Sequence, residues 1–354
     1  MGSRRLRTVW IGTYPAGGQG AAPGAGEGIW RVTLDTVSGS LDDVSQVAVT
    51  PAPSFLAARA DGRLLYAVNE DRPGRLTVLA SREDGLEEVG TAGTAGEHPC
   101  HLLLDDQRRV VVVANYGTGS VAVFRLGSDG LPPGSSPDQV VELSGCGPDP
   151  KRQLSSHAHF ALPTPSGRHI LVVDLGGDTI HRFTPDPATG RLTEQRDGVV
   201  LPPATGPRHA VFSADGRRLC VVGELDGRLH TVDWDGRRDE GHLRESVRLH
   251  PAASGNPQPA HISRDGEELT ITCRGSERVV IHRVGNAAPR LVREFGLPGR
   301  WPRHHATIDG WLVVAQQHGG GVVSLDAHGQ VRGEAAIPAP ACVLPGPMLE
   351  GEPG

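Results

Sequence analysis

The stretch HPCHLLLDDQRRVVVVANYGTGSVAVF, from His98 to Phe124, decides the fold. A histidine stands before an apolar segment, a polar turn follows, and then a β-branched run ends in a polar residue before a second turn and a further run. The runs VVVVAN and VAVF are short, β-branched and bounded by turn residues, which is how strands read. Three further copies are clear: SSHAHFALPTPSGRHILVVDLGGDTIHRF from Ser155, GPRHAVFSADGRRLCVVGELDGRLHTV from Gly206 and PQPAHISRDGEELTITCRGSERVVIHRV from Pro257. Weaker copies begin at Pro53 (PSFLAARADGRLLYAVNE) and Trp301 (WPRHHATIDGWLVVAQQHGGGVVSL). Asp61, Asp215 and Asp265 each precede a glycine in the turn, where Asp-Gly favours a tight hairpin because both residues tolerate positive φ.

The second runs end on Asn69, Asn115, Asp174, Gly223, Cys273 and Gln316, so the repeat length varies from 43 to 59 residues. That is the period of a four-stranded propeller blade, with the variation taken up in loops. Six internal copies do not close a ring, but the two ends supply a seventh. RTVWIGTY (7–14), GIWRVTLD (28–35) and LDDVSQVAV (41–49) read as the second to fourth strands of a blade without its first. PAPACVLPG, from Pro338, resembles the first-strand segment PAPSFLAA, from Pro51, and fits the gap. The expected fold is therefore all-β, one seven-bladed β-propeller over residues 1–354, with the C-terminal strand joining the N-terminal blade and leaving no open sheet edge. The blades are expected near 7–49 with 338–346, 53–92, 98–144, 155–200, 206–248, 257–297 and 301–337. Length alone would also allow two β-sandwiches.

Glycine (48) and proline (29) make up about a fifth of the chain, yet they fall between periodic strands where turns need them. No apolar run approaches the roughly 20 residues of a membrane helix. The N-terminus enters a strand without the apolar core of a signal peptide, so a cytoplasmic protein without a membrane partner is expected. A net charge of −6 without a basic stripe argues against nucleic acid. The five cysteines are widely spaced and form no C-x-x-C pair, which indicates neither a disulfide framework nor a zinc site.

Residues recurring at one place in each copy would ring the central channel. In order they are Ser54, His101, His157 with His159, Arg208 with His209, His261, and Arg303 with His304 and His305. A second tier, just after the strand ends, is Glu70, Tyr116, Glu224, Arg274 and Gln317. Imidazoles, guanidiniums and few carboxylates facing one pocket suit an anionic ligand and acid–base chemistry near neutral pH. Each histidine can equally serve as a backbone hydrogen-bond partner between blades, and Arg208 and Arg274 as inter-blade ion pairs. His157 and His159 share a strand face, which also permits metal ligation, but cationic neighbours oppose it. Asn115 and Asp174 read as caps of strand turns. No G-x-S-x-G nucleophile elbow occurs, so a covalent acyl-enzyme is not expected.

IGTY (11–14), VANYGTGSVAVF (113–124), SSHAHF (155–160), VVDLGGD (172–178), GPRH (206–209), GEL (223–225), QPAHI (258–262), CRG (273–275) and WPRH (301–304) span nearly the whole chain. As a set they resemble the seven-bladed β-propeller lactonases, which include a bacterial type of 6-phosphogluconolactonase and the fungal carboxy-muconate lactonising enzyme. The resemblance implies a catalytic set of His157, Arg208, Glu224 and Arg274, with Gly223 and Cys273 standing where the family carries asparagine. His101, His159, His209, His261, Arg303 and His304 are the expected substrate-binding residues. The implied activity is hydrolysis of a phosphorylated or acidic sugar lactone without metal or cofactor. His157 would be the base, with Glu224 orienting it or acting as base itself, and an arginine would face the carbonyl oxygen. The alternatives are a muconate-type cycloisomerase, a non-catalytic binding propeller, and a metal-dependent gluconolactonase in which Glu70, Asn115 and Asp174 hold the ion.

Overall fold

A computed structural model describes residues 5–15, 27–250, 256–285 and 287–349. These form seven four-stranded antiparallel sheets and, among the described residues, no helix. The blades radiate from seven inner strands: Pro53–Ala58, Pro99–Asp105, Ala158–Pro163, Pro207–Phe212, Pro259–Asp265, Arg300–Ile308 and Pro340–Met348. The last of these belongs to the N-terminal blade. It pairs antiparallel with Leu6–Thr13, Ile11 opposite Val343 and Gly12 opposite Cys342, and so closes the ring as the sequence implies.

The run VVVVAN shows why these segments are strands rather than helices. Val111 and Val113 pack with Tyr66, Val68 and Phe124 toward the preceding blade. Val110, Val112 and Ala114 pack with Ala161, Val172 and Phe183 toward the following one. A period of two sends alternate side chains into two different inter-blade cores, so a strand buried on both faces reads as one apolar run. Each fully buried valine contributes about 1.5–3 kcal/mol of hydrophobic stabilisation. The outer strands, such as Leu192–Val200, face water along much of their length.

Second strands end at Asn69, Asn115, Asp174, Gly223 and Cys273, as the repeat suggests, while Trp311–His318 runs two residues past Gln316. Asn115 and Asp174 are caps. Asn115 Nδ2 donates to Ser120 Oγ (3.2 Å), and Asp174 Oδ1 accepts from the backbone N–H of His157 (2.7 Å) and Gly176 (3.0 Å). At Gly223 the Asp226 carboxylate from the adjoining turn fills the space a side chain would take, and it bonds His230 Nε2 at 3.0 Å. All five cysteines are free thiols, four of them buried.

Candidate active site

One local device builds the site seven times over. At the channel mouth each inner strand loses ladder register near its start, leaving Ser54, Cys100, His159, Arg208 with His209, Ala260, Arg303 and Ala341 unpaired. A bulge of this kind re-aims a side chain. Here the unpaired Cys100, His159, Arg208 and Arg303 all face a cavity of about 380 Å³ at the mouth. Five inner strands are preceded by a residue with positive φ, namely Ala52, His98, Gly206, Gln258 and Ala339, and Arg300–Ile308 carries one at its second residue, Trp301. Five of these carry a Cβ, which costs about 1–2 kcal/mol each in the left-handed region. Such strain persists where surrounding bonds over-determine the backbone. The carbonyls of Ala52, His98, Gly206, Gln258 and Ala339 accept the backbone N–H of Glu70, Tyr116, Glu224, Arg274 and Tyr14 at 2.8–3.0 Å. This bond anchors the backbone of the second tier, and all five tier residues named from the sequence line the cavity.

Glu224 is the electrostatic centre and is 4% exposed. Its Oε2 meets Arg274 Nη2 at 2.6 Å and Arg208 Nε at 3.1 Å, and its Oε1 meets Arg152 Nη2 at 2.8 Å. Burial alone would raise the Glu224 carboxyl, but Arg274, Arg208 and Arg152 together outweigh it and hold the group well below the usual carboxylate range. Burial, then Arg274 and Arg303, push Arg208 down to about 9, which leaves it a cation at neutral pH. Arg208 Nη1 also donates to the Ala260 carbonyl, and Arg274 lies over the Trp301 ring at 5.2 Å. Across the cavity Arg303 Nη2 donates to Tyr14 Oη (2.5 Å), and Tyr14 Oη in turn donates to Glu70 Oε2, which also accepts from Ser54 Oγ (2.6 Å). His159 faces the same cavity. Burial and then the charge of Arg208 lower its pKa well below the ordinary imidazole value, so it is neutral at pH 7. Its buried Nδ1 has no hydrogen-bond partner.

Of the expected catalytic set, Arg208, Glu224 and Arg274 converge on the cavity and His157 does not. His157 stacks on Tyr116 (4.5 Å between centroids) with Nδ1 at 2.8 Å from the Tyr116 carbonyl, outside the cavity lining. The bulge sets this difference: His157 precedes the strand, whereas His159 is the unpaired residue and lines the cavity. Of the expected substrate-binding residues, His159 and Arg303 line the cavity. His101, His209, His261 and His304 do not. His101, His261 and His304 lie one residue past the unpaired position and His209 is the second of the two unpaired residues of its strand; together they form a closed aromatic belt with Phe55 and Phe160 around the channel. Its successive centroids, from Phe55 through His101, Phe160, His209, His261 and His304 back to Phe55, lie 4.3, 4.0, 4.5, 5.1, 3.9 and 5.5 Å apart. His101 Nδ1 accepts the backbone N–H of Ala161, and His304 Nδ1 that of Val343, both at 3.2 Å. These are inter-blade bonds, so His101 and His304 serve as backbone partners between blades.

Sequence reasoning missed Tyr14, Cys100, Arg152, Gln258, Trp301 and His318 as cavity residues. Tyr14 was findable, since it follows a strand end exactly as Glu70 and Tyr116 do. Arg152 was not, because it sits on the 143–157 connection outside the repeat, where the buried Gln153 beside it bonds the Leu175 carbonyl and Asp178. Glu70 lines the cavity but the caps Asn115 and Asp174 do not, so this trio does not converge on an ion. Among the described residues no group of three or more His, Cys, Asp or Glu side chains is arranged to hold a metal.

The family model of lactonases with a seven-bladed β-propeller matches residues 8–345. A 6-phosphogluconolactonase of Bacillus subtilis (strain 168) is 27% identical over 351 residues, covering 94% of this chain and 97% of its own. A 6-phosphogluconolactonase of Formosa agariphila is 25% identical over 311 residues, covering 84% and 88%. The solved structure of a periplasmic gluconolactonase from Pseudomonas aeruginosa superposes with a TM-score of 0.87 at 27% identity, over 97% of this chain and 100% of that one.

Proposed function

This chain belongs to the seven-bladed β-propeller lactonase family, and from that premise we propose that it hydrolyses an acidic sugar lactone, 6-phosphogluconolactone foremost, without a metal. The observation that carries the reading is a neutral imidazole, His159, facing the same cavity as a buried carboxylate clamped by three guanidiniums.

Water attacks the lactone carbonyl carbon and gives its proton to His159. Charge then develops on the carbonyl oxygen, where the guanidinium of Arg208 or Arg274 stabilises it. As the ring C–O bond breaks, the imidazolium returns the proton to the leaving oxygen, giving the open-chain hydroxy acid. Glu224 is too strongly stabilised as an anion by its three arginines to act as the base. Its role is to hold Arg208 and Arg274 in place and to offset their mutual repulsion. The excess of cations over carboxylates around the cavity favours an anionic substrate over a neutral one.

The test is a pH-stat assay of purified protein with 6-phosphogluconolactone, glucono-1,5-lactone and a carboxy-muconate, each with and without EDTA. The expected result is acid release from the phosphorylated lactone well above its spontaneous rate, unchanged by the chelator. Conversion of the muconate alone would instead place the protein with the cycloisomerases.

A further inference from the structure

The cavity has two poles. One, from the fourth to the sixth blade, holds His159, Arg208, Glu224 and Arg274. The other, where the seventh, first and second blades meet, holds Arg303, Tyr14 and Glu70. The reaction proposed above uses only the first. The second is built with equal care. Arg303 occupies the unpaired position of its bulge, its guanidinium lies over the Tyr14 ring at 4.6 Å and donates to Tyr14 Oη, and its carboxylate partner Glu70 stands off at 3.7 Å. Tyr14 is itself committed to Glu70, so it fixes the guanidinium plane without neutralising it. A planar donor fork fixed in this way is suited to an oxyanion.

Charge identifies which oxyanion. Four arginines (Arg152, Arg208, Arg274, Arg303) and two glutamates (Glu70, Glu224) line the cavity, a formal surplus of two positive charges. A carboxylate would leave half of that surplus, whereas a phosphate monoester, at about −1.5 to −2 near neutral pH, cancels nearly all of it. Three of the arginines already share Glu224. The geometry points to Arg303, positioned by Tyr14 and Glu70, as the subsite for a substrate's terminal phosphate, which seats the lactone ring across the cavity against His159. This rests on the lactonase reading for its orientation, but phosphate capture can be tested without turnover.

Titration calorimetry would compare binding of 6-phosphogluconate and of gluconate to the wild-type chain, Arg303→Met and Tyr14→Phe. The wild type should bind the phosphorylated acid at least 100-fold more tightly. Arg303→Met should lose most of that ratio, and Tyr14→Phe should lower it roughly tenfold by freeing the guanidinium plane. In turnover, the kcat/KM ratio of 6-phosphogluconolactone over glucono-1,5-lactone should fall in the same order. A ratio untouched by Arg303→Met in a variant with wild-type circular dichroism would overturn the subsite. If the wild type binds the phosphorylated acid through Arg303 but hydrolyses neither lactone, the subsite stands and the lactonase reading falls.

Discussion

At the residue scale the proposed hydrolysis depends on which imidazole stays neutral and reaches the cavity. His159 does both, and its lowered pKa has a defined sign in a rate profile. Burial and Arg208 disfavour the protonated form, so the base form survives to lower pH than in a free imidazole, whose pKa is about 6.5. The acid limb of kcat/KM, which reports the free enzyme, is therefore expected below pH 6.5. Initial rates of lactone opening between pH 4.5 and 7.5, corrected for spontaneous hydrolysis, measure it. Half-maximal activity at or above pH 6.5 would count against His159 as the base.

At the element scale the inner strand and its bulge govern both what the sequence reveals and what it hides. An alternating pattern tells two faces apart, and the second tier was legible because it follows directly on apolar strand ends. A bulge inserts one residue and exchanges the faces beyond it, and nothing in SSHAHF or GPRH marks where that happens. Cavity and belt histidines therefore looked equivalent. The belt residues have a different consequence, which is stability against acid. Burial, with Arg208 beside it, lowers His101 to about 3, and burial alone lowers His305, which lies against the belt's His261 at 4.7 Å between centroids, to about 3. A depressed histidine pKa means the unfolded chain binds protons that the folded one refuses. The stability is fully present above the unfolded value near 6.5 and is lost as pH falls toward 3, on the order of 5 kcal/mol for each group. His101→Phe, matching Phe55 and Phe160 in the belt, removes one such group but leaves the Ala161 N–H unpaired, at a cost of about 1–3 kcal/mol. The variant should be less stable than wild type at pH 7.5 yet lose less stability on going to pH 4.5, as read by urea unfolding. An unchanged loss would show that His101 does not carry the acid sensitivity.

At the scale of the whole molecule the ring was readable because repetition is a global signal, insensitive to local uncertainty about any strand. The N- and C-terminal segments were assigned to one blade by a mismatch, three strands at one end and one at the other, and Pro340–Met348 completes the N-terminal sheet. Arg152 lay beyond this logic because a loop outside the repeat has no register to inherit. Closure also predicts behaviour. Ending the chain at Ile337 would open the edge of Leu6–Thr13 and expose Val9 and Ile11, now packed with Val343. Such a truncation should aggregate or lose its cooperative thermal transition, whereas ending it at Leu349 should change neither. Size-exclusion chromatography and calorimetry would show the difference, and a monomeric, cooperative product ending at Ile337 would contradict the latch. In the proposed reaction the ring aims His159, rather than its neighbour two residues earlier, at a lactone held among guanidiniums. The direct measurement is pH-stat turnover of 6-phosphogluconolactone by the wild type, His159→Asn and His157→Asn side by side. A loss of about 10²- to 10⁴-fold in kcat is expected for His159→Asn, and a rate within a few-fold of wild type for His157→Asn. Equal rates for wild type and His159→Asn, or collapse only in His157→Asn, would contradict the proposed role of His159.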